Sequence, residues 1–260
     1  MENRTGEILR KRRLERSYFA IYCISTRINI DSEKYYTESK KLYSFFGCTL
    51  EGKKKYLSCI LETEAEKTSE WYDFFQELKK RGVEQVVFAL LPKNREIRDA
   101  VKLGFPKVEI FTSCEGTIEK LLKYNSYKTK DEIYRQIRRI FIARDLVEYE
   151  LNYKDFIEKY KEYPFIMEML EEELKNIKDN YKYSFSVRRI IYAFNYIIEM
   201  KKRFLKYSTN EVYKNKEEFI EACAYAIFMS ESSIHYYKDE WTIVINEIYK
   251  EKNELIKPYL

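Results

Sequence analysis

The stretch Val187–Lys206, V-R-R-I-I-Y-A-F-N-Y-I-I-E-M-K-K-R-F-L-K, says most about the fold of this 260-residue chain. At 100° per residue its apolar side chains share one arc, which holds Val187, Ile190, Ile191, Phe194, Ile197, Ile198 and Leu205. The opposite side holds Arg188, Arg189, Asn195, Glu199, Lys202, Arg203 and Lys206. Ser186 precedes the stretch as a candidate N-cap. The pattern predicts one long, half-buried helix with a cationic outer face.

The positive charge of the chain is concentrated in this stretch. It contains six basic residues and one acidic residue, so its charge of +5 equals the formal net charge of the whole chain. Such a face is either a solvated helix surface or a site for nucleic-acid phosphates, and the pattern leaves both open. Residues 1–16 hold six Arg and Lys against three Glu, so they form either a phosphate-binding arm or a solvated lead-in.

The sequence before this stretch has the pattern of a sheet. Runs rich in β-branched and aromatic residues predict five strands. They cover Tyr18–Ile30, Lys41–Leu50, Lys55–Glu62, Val86–Leu91 and Val108–Phe111. Helices are predicted over Ser69–Arg81, with Trp71, Phe74, Phe75 and Leu78 on its buried face, and over Arg95–Leu103. Strands followed by alternating helices and strands are typical of an α/β sheet.

From about Gly116 the apolar residues recur at helical spacing. Helices are predicted over Lys130–Tyr149, Phe156–Tyr160, Phe165–Ile177, Lys216–Met229 and Asp239–Lys250, in addition to the central stretch. The α/β sheet is therefore expected to carry a helical addition.

The composition excludes several classes of protein. The sequence contains no run of 18 apolar residues, so no segment is expected to span a membrane. The polar, basic N-terminus lacks the apolar region of a secretory signal. Five scattered cysteines without a C-x-x-C pair indicate reduced thiols in a cytoplasmic protein. With His235 as the single histidine, no zinc site and no other cofactor is expected.

No catalytic motif is complete. The sequence contains no full P-loop (G-x-x-x-x-G-K-[ST]), no G-x-G-x-x-G, no G-x-S-x-G and no H-E-x-x-H. A catalytic triad would need His235, which lies in a polar segment typical of a surface. The predicted strand ends carry no paired carboxylates, although that edge of an α/β sheet often carries catalytic groups.

Several segments together resemble the mutator-type (IS256-like) transposases. The resemblance rests on Arg13–Leu14 with the first strand, W-Y-D-F-F-Q-E-L-K-K-R-G-V (Trp71–Val83), D-A-V-K-L-G-F-P (Asp99–Pro106), R-R-I-I-Y-A-F-N-Y-I-I-E (Arg188–Glu199) and Trp241. It covers nearly the whole chain and corresponds to the catalytic portion of such transposases only. The second and fourth blocks are the specific ones.

The resemblance implies an RNase H-like mixed sheet of about five strands, with flanking helices and an α-helical insertion. The expected organisation is a basic arm (1–16), the first part of the core (17–126), the insertion (127–184), and the last core helix with the C-terminal helices (185–260). The family's chemistry needs three carboxylates that hold two divalent metal ions. Position by position, these carboxylates fall on Ile24, Pro92 and Ile198, and the family's Cys and His fall on Ser113 and Gly116.

These substitutions predict a catalytically inactive protein with no metal site, derived from a transposase by domestication or degeneration, which is not an enzyme and binds DNA non-catalytically. The expected DNA contacts are Arg188, Arg189, Lys202, Arg203, Lys206, Arg10, Lys11, Arg12 and Arg13. An alternative is a scaffolding or transposition-regulating module that acts as a homodimer or with a host protein. A third possibility keeps enzyme activity through unrecognised residues.

Overall fold

The computed structural model describes residues 5–32, 36–62, 68–114, 127–162, 164, 168, 177–232 and 238–260. The helix predicted over Phe165–Ile177 lies almost wholly outside these ranges, and so do Gly116 and His235. The chain divides into two compact units. The first contains Met1–Ile110 and Asn195–Leu260, and the second contains Phe111–Phe194.

A six-stranded mixed sheet forms the centre of the fold. Its strands are β1 (Ser17–Ser32), β2 (Tyr36–Thr49), β3 (Lys54–Leu61), β4 (Gln85–Leu91), β5 (Glu109–Thr112) and β6 (Val212–Tyr213). The order is β3-β2-β1-β4-β5, and β6 pairs with β1. β1 is antiparallel to β2 and parallel to β4 and β6. This arrangement with flanking helices confirms the predicted α/β class and is consistent with an RNase H-like fold.

Helices account for most of the remaining described residues. They are α1 (Thr5–Lys11), α2 (Thr68–Lys80), α3 (Arg95–Gly104), α4 (Tyr127–Phe141), α5 (Leu146–Tyr160), α6 (Phe185–Tyr192), α7 (Phe194–Ser208), α8 (Lys216–Ser232) and α9 (Lys238–Ile256). Short 3₁₀ turns cover Lys178–Lys182 and Lys257–Tyr259.

One face of the sheet packs against α2. The four side chains predicted for the buried face of this helix, Trp71, Phe74, Phe75 and Leu78, are all buried. The ring centroid of Phe45 on β2 lies 4.7 Å from that of Phe74, and the ring of Tyr43 lies 5.1 Å from that of Trp71. The helical periodicity of α2 therefore sufficed to predict this half of the core.

The other face of the sheet packs against α7 and α9. Tyr196 of α7 lies 5.7 Å from Phe46 and 6.2 Å from Tyr22, measured between ring centroids. On α9, Trp241 lies 5.3 Å from Phe19. Side chains alternate between the faces of a strand, so Tyr22 and Ile24 point toward the helices on this side. Phe19 reaches the same side out of phase with Tyr22, because the register of β1 shifts between Tyr18 and Ala20.

The end of β2 and the turn that follows it contain G-C-T-L-E-G-K at Gly47–Lys53, which matches all but the last position of a P-loop. The segment connects two antiparallel strands instead of a strand and a helix, so it ends in a hairpin turn. Gly52 has a φ of +82°, and Trp241 donates its indole N–H to the carbonyl of Leu50 at 2.8 Å.

The predicted helix Lys130–Tyr149 is two helices. α4 ends at Phe141 and α5 begins at Leu146, with Asp145 as its N-cap. The Asp145 carboxylate accepts the backbone N–H of Glu148 at 2.9 Å. The D-x-x-E spacing of a capping box was present in the sequence, and the continuous apolar period hid it.

Candidate functional site

The cationic stretch is two helices and not the single helix predicted. α6 ends at Tyr192 and α7 begins at Phe194, because Ala193 has the left-handed conformation with φ 43° and ψ 33°. The N–H of Ala193 donates to the carbonyl of Arg189 and ends α6. The N-cap is Ser184 instead of Ser186, and its hydroxyl accepts the N–H of Val187. Alanine favours helix interiors, so no local signal marked the break.

Arg188 lies inside the second unit and not on an outer face. It is 1 % exposed, and its guanidinium donates to the carbonyls of Tyr183 at 3.0 Å, Ala143 at 2.7 Å and Arg144 at 3.0 Å. The guanidinium carbon lies 3.8 Å from the ring centroid of Tyr181. Burial lowers the pKa of Arg188. Its predicted role as a DNA contact is therefore wrong, since a guanidinium held this way cannot reach a phosphate.

Two further residues of the stretch differ from the prediction. Arg203 pairs with Glu199 and donates to the carbonyl of Ala226 at 3.1 Å, so much of its donor capacity is used within the fold. Leu205, assigned to the apolar arc, is 54 % exposed. The buried arc of α7 is centred on Met200 and Phe204, and Leu205 is turned about 100° away from Phe204.

Lys202 and Lys206 stay on the solvent side of α7, as predicted. Both are exposed and lie four residues apart, so they are neighbours on the helix surface. Among the described residues neither forms a salt bridge. Arg189 is also exposed, on α6, where its guanidinium lies 5.4 Å from the ring of Phe185. Lys202, Lys206 and Arg189 are the predicted contacts of this stretch that keep solvent access.

The basic N-terminal segment is partly built into the first unit. Arg10 donates to the carbonyl of Glu217 at 2.9 Å. Arg12 pairs with Glu231, whose side chain is 7 % exposed, and donates to the carbonyl of Tyr56 at 2.7 Å. These two arginines hold α1 in place. The contacts with Glu231 and Tyr56 occupy much of the Arg12 guanidinium, and its role as a phosphate contact stays a prediction.

The other two cations of this segment face solvent. Lys11 is exposed and pairs with Glu7 one turn earlier in α1. Arg13 is exposed just after the helix. Of the four N-terminal residues predicted to contact DNA, Lys11 and Arg13 therefore remain accessible.

The first two positions assigned to carboxylates lie near the same edge of the β1–β4 pair. The ladder between these parallel strands ends where Tyr22 pairs with Leu90, and Ile24 and Pro92 each follow two residues later, Pro92 just after the end of β4. Ile24 is fully buried and Ile198 of α7 is half-buried. Glu199, one residue later, points to solvent, as predicted.

Divalent metal ions such as Mg²⁺ need oxygen ligands, and the side chains of Ile24, Pro92 and Ile198 supply none. These positions do not fit the family's metal pair, so no metal-dependent step can be assigned to them. Within the part of the chain that the structure describes, no group of three His, Cys, Asp or Glu residues lies together in a way that could hold a metal ion.

A buried lysine lies under α7, which the sequence reasoning missed. Lys54 of β3 is 4 % exposed, and its ammonium donates to the hydroxyl of Tyr22 at 3.0 Å. The ammonium also lies 4.4 Å from the ring of Tyr22 and 5.2 Å from that of Tyr196. Burial raises the pKa of the neighbouring Cys48 thiol. The sequence offered no signal, because Lys54 lies beside a turn, where lysine is normally solvated.

The comparison with known families agrees with this architecture. The sequence profile described as "Transposase, Mutator family" matches residues 4–235, which is most of the chain. The chain therefore belongs to the mutator family of transposases, and the predicted resemblance is confirmed.

Two relatives carry transposase names. One is the probable transposase for an ISRM3-like insertion sequence element of Sinorhizobium fredii (strain NBRC 101917 / NGR234), with 27 % identity over 188 residues. The other is the transposase for insertion sequence element ISRM3 of Rhizobium meliloti (strain 1021), with 26 % identity over 188 residues. Each match covers 72 % of this chain and 46 % of the relative. The chain thus spans about half the length of the curated relatives it matches.

The prediction that the chain is not an enzyme is contradicted by these matches, because the family and both relatives are named as transposases, which are enzymes. The side chains at three positions matched by resemblance alone do not determine whether the chain is active. Identity of 27 % does not fix the register of single carboxylates. The equivalence of Ile24, Pro92 and Ile198 to the family's carboxylates stays a prediction.

None of the helices in the described ranges is both long and apolar enough to cross a bilayer. The cytoplasmic location stays a prediction.

Proposed function

We propose that this chain is a DNA-binding protein that acts in DNA transposition, and that its first unit contacts DNA phosphates through Lys202 and Lys206 of α7. The observation that carries the proposal is that these two exposed lysines are adjacent on one helix and form no salt bridge among the described residues. Two cations at that spacing can contact neighbouring phosphates of one strand.

The charge of α7 supports this assignment. The helix contains four basic residues, Lys201, Lys202, Arg203 and Lys206, and one acidic residue, Glu199, so its net charge is +3. Glu199 is engaged by Arg203, which leaves the two lysines uncompensated. The names of the matched family and relatives supply the second support, because transposases act on DNA.

Salt dependence is the expected signature of such binding. Each phosphate contact releases counterions, so the logarithm of the binding constant falls by about 0.9 per contact for each tenfold increase in salt. The net charge of +5 is modest, so we expect weak, largely sequence-independent binding at physiological salt.

The test is fluorescence anisotropy with duplex DNA over a range of salt concentrations. The double variant Lys202→Ala/Lys206→Ala should weaken binding at low salt and reduce the salt slope by about 1.8, as expected for two lost phosphate contacts. The matched control is Lys102→Ala/Lys107→Ala, which removes the same charge from two exposed lysines elsewhere in the first unit. Equal losses in both double variants, or no salt dependence, would refute the assignment.

The same mixtures of protein and DNA also test for DNA cleavage. They are incubated with Mg²⁺ or Mn²⁺ and run on a gel, so that cleavage is measured separately from binding. Domestication of the chain stays a prediction.

Assembly with another protein is a second candidate function. The predicted homodimer and host protein partner are favoured by one observation, an exposed apolar stripe on α8. DNA binding through α7 does not require such an assembly.

A further inference from the structure

A small cavity opens on the surface of the first unit, and its volume is about 150 Å³. It lies between the start of β1, the turn that joins β2 to β3 and the C-terminal 3₁₀ turn. The residues that line it are Glu15, Arg16, Ser17, Leu50, Glu51 and Tyr259. None of these six residues lies on α7, so the cavity is separate from the proposed DNA contacts.

Ser17 brings a buried hydroxyl to this cavity. The residue is 6 % exposed, and its Oγ has no hydrogen-bond partner in the fold. Successive side chains of a strand point to opposite faces, and the next one, Tyr18, belongs to the core under α2. Ser17 therefore points to the other face, where Leu50 meets α9 and Tyr259 follows it. Buried hydroxyls are normally hydrogen-bonded, so this one can accept a donor that enters the cavity.

The lining of the cavity carries a surplus of negative charge. Glu15 and Glu51 are both exposed, and neither forms a salt bridge among the described residues. Arg16 is the cation of the lining, and it donates twice to Glu84, at 2.8 and 2.9 Å. Its guanidinium carbon also lies 5.3 Å from the ring centroid of Tyr259. Because Glu84 balances the charge of Arg16, the cavity keeps the charge of two carboxylates.

These groups match a primary ammonium ion. An alkylammonium head has one positive charge and three N–H donors. The carboxylates of Glu15 and Glu51 and the hydroxyl of Ser17 supply three acceptors, of which two are charged. Leu50 and the ring of Tyr259 supply apolar surface for a carbon chain. The volume equals that of about five water molecules, which is enough for an ammonium on about four carbons.

We propose that this cavity binds a primary alkylammonium group. The nitrogen lies between Glu15, Glu51 and Ser17, and the carbon chain lies against Leu50 and Tyr259. The group belongs either to a free diamine or polyamine or to the lysine side chain of another protein, since both present an ammonium on a flexible carbon stem. The proposal goes beyond DNA binding and uses none of the lysines of α7.

Ligand-observed NMR on the full chain tests the proposal. Saturation-transfer signals are measured for n-butylammonium, with n-butanol as an uncharged control of the same length. The ammonium should bind with a dissociation constant of about 1 mM, and the alcohol should give no signal. Absence of a signal from n-butylammonium at about 20 mM, or equal signals from the two ligands, would overturn the proposal.

Uncharged variants locate the site. Glu15→Gln/Glu51→Gln should raise the dissociation constant at least about tenfold, because it removes both charged acceptors. Ser17→Ala should raise it about threefold, as for one neutral hydrogen bond. The matched control is Asp73→Asn/Glu77→Gln, which removes the same charge from two exposed residues of α2 and should change little. Circular dichroism checks that each variant folds. Equal losses in the two double variants contradict the proposal.

Two further ligands identify the source of the ammonium. Putrescine represents a free diamine, and Nα-acetyl-lysinamide represents the lysine side chain of a protein. Binding of either supports the proposal, and the ligand with the lower dissociation constant identifies the source. Failure of both to bind overturns it.

Discussion

Replacement of Arg188 should destabilise the protein, although neighbouring arginines share its charge. The side chain is 1 % exposed and donates to three backbone carbonyls, those of Tyr183, Ala143 and Arg144. Arg188→Ala removes all three donors. The contact between the guanidinium and the ring of Tyr181, at 3.8 Å, is lost as well.

The magnitude follows from what is left behind. The carbonyls of Tyr183 and Ala143 are buried partners, and each buried acceptor without a donor costs about 1–3 kcal/mol. The lost ring contact adds about 1–2 kcal/mol where water is excluded. Removing the guanidinium also removes the cost of its desolvation, which offsets part of this sum. We therefore expect the free energy of unfolding to fall by about 3 kcal/mol. At about 2–4 °C per kcal/mol, the unfolding temperature should fall by about 6–12 °C.

Arg189→Ala is the matched control, because it removes the same charge from the next residue, whose side chain is exposed. Urea denaturation and thermal melting followed by circular dichroism compare the two variants. Arg188→Lys should remain destabilised, since one ammonium cannot span three carbonyls that the planar guanidinium reaches. If Arg188→Ala melts within about 1 °C of wild type while DNA affinity falls, Arg188 is a surface contact and this reasoning is refuted.

Three smaller perturbations test other parts of the fold. Gly52→Ala should destabilise by about 1–2 kcal/mol in thermal melts, because φ is +82° and a Cβ would lie 3.1 Å from Trp241; an unchanged melting temperature contradicts this. Ala193→Gly should change stability by less than about 1 kcal/mol, because relief of the left-handed backbone offsets the lost methyl burial, whereas Ala193→Val should cost at least about 2 kcal/mol; similar urea midpoints for both variants would refute the assigned conformation. Burial raises the pKa of Tyr149 and Tyr181 to about 12. Since tyrosine titrates near about 10 when unfolded, the neutral phenols stabilise the fold fully below about pH 10, and this contribution is lost between about pH 10 and 12. The chain has 25 tyrosines, so the difference in phenolate absorbance between the wild type and a Tyr149→Phe/Tyr181→Phe variant isolates these two phenols, and a difference that titrates near pH 10 would disprove the prediction.

The family blocks and the core were readable from sequence because their signals are local. The buried face of α2 follows from apolar residues at helical spacing, and all four predicted side chains are buried. The strands of the sheet follow from runs of β-branched and aromatic residues. Lys202 and Lys206 could be placed on the outside of α7 from the same period.

The candidate site was only partly readable, because contacts distant in sequence decide which cations remain outside. Arg12 pairs with Glu231 across 219 positions, and Arg188 reaches Ala143 across 45. No short window of sequence contains both partners, so the sequence pattern predicted the same exposed position for these arginines as for Lys202. The two-residue strand β6 was missed for the same reason, since its pairing with Asn29 and Ile30 makes it a strand.

The amino-acid sequence by itself determined the α/β class, the helical faces that meet the sheet and the membership of the mutator family. The tertiary structure alone decided where the cationic stretch breaks, which arginines bind backbone carbonyls and carboxylates, and which side of α8 stays exposed. The physical reason is one of range. Side-chain period and strand composition act between neighbours in the chain, whereas the left-handed turn at Ala193 and the buried Arg188 are stabilised by groups that only folding brings together.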